Sequence, residues 1–268
     1  ARITAPPPVL VESTRNIADM KKSAFVSAVR RFSNPPQLSD LDELVLADRD
    51  LDALMDCTVG DCAFKLTAPE IGLLARVRAE AGGTRAALQP AFRRVLLDRV
   101  TTYLRGGLGA VPPVANRDGA RALGATMAEL HAQTPCVAQP ALAEWLQSGA
   151  ANGQPIETFL YWSQEFYRSG RPVILVTHVA MLQDGGHATV VGKQVFASRY
   201  MDGAIAMTAI TTDPATGTRY LVYLNRSSVD LLGGFLGGLR RSIIESRLRG
   251  QVPDIIQRLR GRLERTRP

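Results

Sequence analysis

The chain has 268 residues, 46% of them hydrophobic, enough to bury the core of one large domain or two small ones. Charged residues make up 21%, which excludes wholesale disorder, and no apolar run approaches the ~20 residues of a membrane-spanning helix. The net charge of +7 is concentrated late: nine arginines face three acidic residues between Leu239 and Pro268, while lysine occurs only at 21, 22, 65 and 193.

The start, Ala1-Arg2-Ile3-Thr4, carries no charged segment leading into an apolar run. A cleaved signal peptide, and with it a periplasmic or secreted protein, is the expectation. Residues 1–40 read as an arm punctuated by Pro6-Pro7-Pro8 and Asn34-Pro35-Pro36, with one short helix from Ile17 to Arg31. Residues 41–268 read as a single α+β domain. Its first half is helical. Thr67-Ala68-Pro69-Glu70 has the spacing of a capping box with proline in the first turn, and Ile71, Leu74 and Val77 follow at helical spacing. A second helix starts near Thr84, places Leu88, Phe92, Val95, Leu96 and Tyr103 mostly on one face, and stops at Gly106-Gly107. Weaker helical patterns cover 119–132 and 140–148.

After Gly153 the period changes. Thr158–Tyr167, Val173–Leu182, Ala188–Tyr200, Ala204–Thr212 and Thr218–Arg226 are rich in β-branched and aromatic residues, with turn clusters between them. That pattern predicts an antiparallel meander of about five strands. Tyr220 to Leu224 is apolar on both faces, so both faces of the sheet are expected to be covered. From Val229 an apolar stripe runs through Leu232, Leu236, Leu239, Ile243, Leu248, Val252, Ile255, Leu259 and Leu263. Gly250 and Pro253 interrupt it, which predicts a long helix with a kink or restart there. The part before Gly250 is expected to cross the sheet and bury Leu236, Leu239 and Ile243. Arg260 and Arg262 are expected to face water.

Five antiparallel strands followed by a long, kinked C-terminal helix resemble the helix-grip fold of START-like and polyketide-cyclase-like proteins. Tyr220-Leu221-Val222-Tyr223-Leu224-Asn225-Arg226 and the helix over 229–265 carry that resemblance. It implies a curved sheet wrapped around the last helix, with a mostly apolar cavity between them. Cys57-Thr58-Val59-Gly60-Asp61-Cys62 and Tyr220–Arg226 are also similar to segments of uncharacterised exported bacterial proteins.

Several constellations are candidates for chemistry. Gly60 lets the chain turn between Cys57 and Cys62, so in an oxidising compartment the pair reads as a local disulfide. Reduced structural thiols are one alternative. A structural zinc site with His131 and Cys136 is another, since those two repeat the same spacing. His178 lies mid-strand, and Glu165 in the preceding strand is a candidate to orient its imidazole for acid–base work. A hydrogen-bonded core histidine is the other reading. Phe159, Tyr161, Trp162, Phe166 and Tyr167 cluster in one strand, where they serve as core or line an apolar pocket. The run Gly233-Gly234-Phe235-Leu236-Gly237-Gly238 lacks the lysine of a phosphate loop and reads as close helix–sheet packing or cavity space. There is no Gly-x-Ser-x-Gly elbow and no His-Glu-x-x-His.

The sequence thus points to an exported binding protein with an apolar, lipid-like or aromatic ligand between the sheet and the C-terminal helix. Tyr161, Phe159, His178, Phe196, Tyr223 and Leu236 are its candidate lining residues. Arg240, Arg241, Arg247 and Arg249 are candidates for contact with an anionic membrane surface. An enzyme using His178 and Glu165 in the same cavity, or a ligand-free cell-envelope interaction protein, are the alternatives. No cofactor, metal or nucleic acid is expected.

Overall fold

The computed structural model describes residues 1–116, 119–134, 139–148, 156–166, 171–229 and 252–266. In chain order the elements are α1 (Pro7–Arg15), α2 (Ile17–Lys21), β1 (Val26–Arg31), α3 (Asp48–Met55), α4 (Ala68–Glu80), α5 (Leu88–Gly106), β2 (Val114–Asn116), β3 (Gly119–Arg121), α6 (Leu123–Ala132), α7 (Pro140–Ser148), β4 (Glu157–Glu165), β5 (Val173–Asp184), β6 (His187–Ala197), β7 (Met201–Thr212) and β8 (Arg219–Val229). A last helix, α8, covers 252–265.

The expected α+β class is borne out. The sheet has six antiparallel strands in the order β1-β4-β5-β6-β7-β8. Five are the expected meander. The sixth, β1, was expected to be helical. Its residues pair instead with β4, Val29 opposite Ser163 and Arg31 opposite Tyr161. The helix expected over Ile17–Arg31 ends at Lys21, because Val26–Arg31 gains a ladder of hydrogen bonds from a strand more than a hundred residues away.

Both faces of the sheet are covered, which explains the apolar character of both sides of the strands. One face carries Leu160, Trp162, Val176, Phe196 and Ile205 and is buried by α3 to α7. Here the capping box is present: Thr67 accepts from the Glu70 amide while the Glu70 side chain accepts from the Thr67 amide. α5 buries Phe92, Val95, Leu96 and Tyr103 and stops at Gly107, whose φ of 67° suits glycine. Phe92 meets Phe64 edge-on and Phe196 at a tilt, with ring centroids 5.5 and 6.4 Å apart.

The opposite face carries Phe159, Tyr161, Val179, Met181, Ile210 and Leu221 and packs against α1, Ile17 of α2 and Leu263 of α8. The first forty residues are therefore not an arm. Val9, Leu10 and Ile17 belong to the core, and Ile3 donates its amide to the Arg219 carbonyl at the end of the sheet. The prolines fix the entry to α1 rather than an extended tether, with Pro7 and Pro8 in its first turn, where a missing amide hydrogen costs nothing.

α8 has Pro253 in its first described turn and buries Leu263 completely, with Ile256 and Leu259 packed partly against the same cluster. Leu236, Leu239, Ile243, the Gly233–Gly238 run and Gly250 lie outside the described residues. Arg260 is exposed, as expected, but Arg262 is not free in water. Its guanidinium donates to the carbonyls of Asp19, Met20 and Lys22 and so ties α8 to the C-terminal end of α2.

Cys57 and Cys62 are bonded. That removes both as thiolate ligands, so the reduced-thiol and zinc readings of this pair fail; Cys136 lies outside the described residues. Replacing both with alanine is expected to cost about 2 kcal/mol, the chain entropy of so short a loop. Denaturant melts of the variant against the oxidised parent check this. Equal midpoints would mean that the bond restrains nothing in the unfolded chain.

Candidate functional site

The strand register decides which of the candidate residues can act together. His178 pairs with Leu160, and Glu165 pairs with Val173 at the far end of β4. Five residues separate the two levels, roughly 17 Å along a strand, and the odd spacing puts the side chains on opposite faces. Glu165 accepts a hydrogen bond from Ser163 and forms an ion pair with Lys21 on the α1–α2 face. His178 points into the helical face. The acid–base pair expected from the sequence is therefore not assembled.

The same parity divides the expected ligand set. Phe159, Tyr161 and Tyr223 face the α1–α2 side, and His178 and Phe196 face the helices α3 to α7. Phe159 and Tyr223 are also four strands apart, roughly 19 Å. Leu236 lies outside the described residues, as do Arg240, Arg241, Arg247, Arg249 and Tyr167. Phe166 lies beyond the end of β4 and is 40% exposed.

On the helical face, His178 belongs to a buried polar cluster. Tyr103 of α5 meets its Nδ1 at 2.8 Å. Lys193, directly opposite His178 on β6, donates to the Trp145 carbonyl at 2.7 Å and the Leu146 carbonyl at 3.4 Å. Both carbonyls lie in the last described turn of α7, so Lys193 ties β6 to that helix. It also lies 4.2 Å from the centroid of the Trp145 ring. Burial shapes the protonation of all three groups. His178 is pushed down to about 3, first by burial and then by Lys193, so its imidazole is neutral at ordinary pH. Burial pushes Lys193 down to about 7 and holds the Tyr103 phenol above its usual value. Among the described residues, the buried indole Nε1 of Trp145 finds no hydrogen-bond partner. The sequence places Lys193 in the strand after His178 but gives it no role, because its alternation with Val191 and Val195 is the only sign that it points inward.

A second polar cluster holds the β6–β7 turn. Arg199 pairs with Asp50 of α3 at 2.9 Å, and Asp202 pairs with Lys65 and, at 3.2 Å, with Arg121. Between them Tyr200 has φ 68°, a conformation a large side chain adopts only under constraint. The ion pairs of Arg199 on one side and Asp202 on the other supply that constraint. A void of about 20 Å³ lies beside Lys65, Arg99, Arg121 and Asp202. It is the size of one water molecule and holds no larger ligand.

The opposite side carries an opening of ligand size. A groove of about 390 Å³ runs between α1–α2 and α8, lined by Pro8, Val9, Ser13, Met20, Arg262 and Thr266 among others. Small-molecule sites occupy ~300–1,000 Å³. Glu12 and Asp19 contribute carboxylates to its wall. Met20 connects the groove to the core that holds Phe159 and Tyr161. Those two rings lie 6.3 Å apart, with the Arg31 guanidinium 3.9 Å above Phe159.

Among the described residues, no three His, Cys, Asp or Glu side chains gather as a metal site, and no helix is long and apolar enough to cross a membrane. Comparison with protein-family models, with curated proteins and with solved structures finds no match.

Proposed function

We propose that the protein is an exported binding protein that holds an apolar small molecule beside its C-terminal helix. One observation carries the reading: the groove between α1–α2 and α8 has the volume of a small-molecule site and includes the apolar Pro8, Val9 and Met20 in its lining. The helix-grip resemblance is refined rather than repeated. The ligand lies on the side of α8 that faces α1 and α2, not between α8 and the aromatic strand β4. The separation of His178 from Glu165 favours binding over acid–base catalysis in this reading. The disulfide favours an oxidising compartment.

Native mass spectrometry of the purified protein and titration with the neutral apolar dye N-phenylnaphthylamine test the proposal. Ser13→Trp fills the groove from α1. It is expected to weaken dye binding about tenfold or more, the loss of roughly 1.4 kcal/mol, while leaving the melting temperature near that of the parent. Dye binding that is unchanged in Ser13→Trp, together with no co-purified small molecule, would sink the proposal.

A further inference from the structure

Charge is distributed unevenly around the groove between α1–α2 and α8. Pro8, Val9 and Met20 give it apolar surface, while Glu12, Asn16 and Asp19 bring polar side chains to its wall. These three follow α1 into α2, with Asn16 at the junction where one helix ends and the next begins. Both carboxylates keep negative charge to spare. Arg15 meets Glu12 with Nη1 at 3.0 Å but forks onto Glu157 with Nε and Nη2 at 3.0 and 2.8 Å, so one guanidinium serves two carboxylates. The Asp19 side chain has neither a hydrogen bond nor an ion pair among the described residues. Arg262 is the cation of the lining, and its guanidinium is committed to the backbone. It donates to the Asp19, Met20 and Lys22 carbonyls, whose partial negative charge at the end of α2 offsets part of its own.

We propose that the ligand of this groove is an apolar molecule with a cationic amine head, a step that rests on the groove being the binding site. Its body lies against Pro8, Val9 and Met20, and its ammonium sits at the rim between Glu12 and Asp19. An ammonium brings only hydrogen-bond donors and a positive charge, which match two carboxylates. A carboxylate or phosphate head would meet those same groups as a like charge. The Glu12 side chain is 62% exposed, so water and salt screen the contact and the preference is severalfold rather than absolute.

Displacement of N-phenylnaphthylamine by octylammonium, octanol and octanoate compares one apolar body under a positive, a neutral and a negative head. In the parent, added salt is expected to weaken octylammonium and to strengthen octanoate, while octanol barely changes. In the double variant Glu12→Gln, Asp19→Asn, the affinity of octylammonium relative to octanol is expected to fall about fivefold, and that of octanoate to rise. A variant that melts like the parent yet keeps the parent's ratios overturns the amine head, since the charge is then read elsewhere. Octanoate as the tightest of the three overturns it as well and points to Arg262. Should the variant not fold, the parent alone decides: octylammonium insensitive to salt rejects the proposal. A parent that binds no dye removes the groove as the binding site and the amine head with it, whereas dye binding without any dependence on the head group removes the amine head alone.

Discussion

Asp50→Ala is expected to lower stability by about 3–5 kcal/mol, because it leaves Arg199 charged and buried without its partner. The Asp50 carboxylate accepts from Arg199 Nη1 at 2.9 Å, and both side chains are at most 6% exposed. What remains around Arg199 does not replace it. The Pro172 carbonyl lies at the 3.5 Å limit of a hydrogen bond, the Phe64 ring 4.5 Å away offers only its π face, and Nη2 already has no partner among the described residues. The pair joins α3 to the sheet, so its loss also loosens that helix. Urea melts of the variant provide the measurement. A second variant, Asp50→Leu with Arg199→Met, removes both charges and is expected to recover much of the loss. If Asp50→Ala costs less than about 1 kcal/mol, Arg199 reaches water and the buried pair is not a structural tie.

Trp162→Ala carries the other large effect, also about 3–5 kcal/mol. Trp162 is fully buried in β4 at the centre of the helical face, and its indole Nε1 donates to the Asp40 carbonyl at 2.8 Å. The substitution therefore opens a cavity and strips a carbonyl of its donor at once. Trp162→Phe separates the two terms. It keeps much of the packing and loses the hydrogen bond, so it is expected to cost distinctly less than alanine. Thermal melts of the two variants, read beside each other, check this. Equal losses would mean that the bond to Asp40, not the ring volume, dominates.

How much of this was legible in the sequence depends on how local the determinant is. The capping box at Thr67 and Glu70, the stop at Gly106-Gly107 and the turn clusters between the strands act within a few residues, and all were readable. The five-strand meander followed because its turns are short and its strands consecutive. β1 was not readable. Val26-Ser27-Ala28-Val29-Arg30-Arg31 has no clean alternation, and its partner β4 lies far along the chain. The site was less legible than the fold. That His178 and Glu165 lie in neighbouring strands was visible, but their register was not, and a shift of one residue changes the face on which a side chain lies. Lys193 and Arg262 were hidden for a related reason. A charged residue reads as solvent-facing until the carbonyls that receive it are known.

The pairing of Arg2 with Tyr220 and the hydrogen bond from the Ile3 amide to the Arg219 carbonyl have a consequence for the order of assembly. Residues 1–3 meet their strand partner only after some 220 further residues of chain. α1 and α2 are in the same position, because the face they cover includes Ile210, Leu221 and Leu263. Contacts that distant slow folding, since a long loop must close before any of them form. The helical face can condense from consecutive segments while the amino-terminal segment is still unplaced. A chain folding in order therefore leaves one face of the sheet incomplete until β8 and α8 are available.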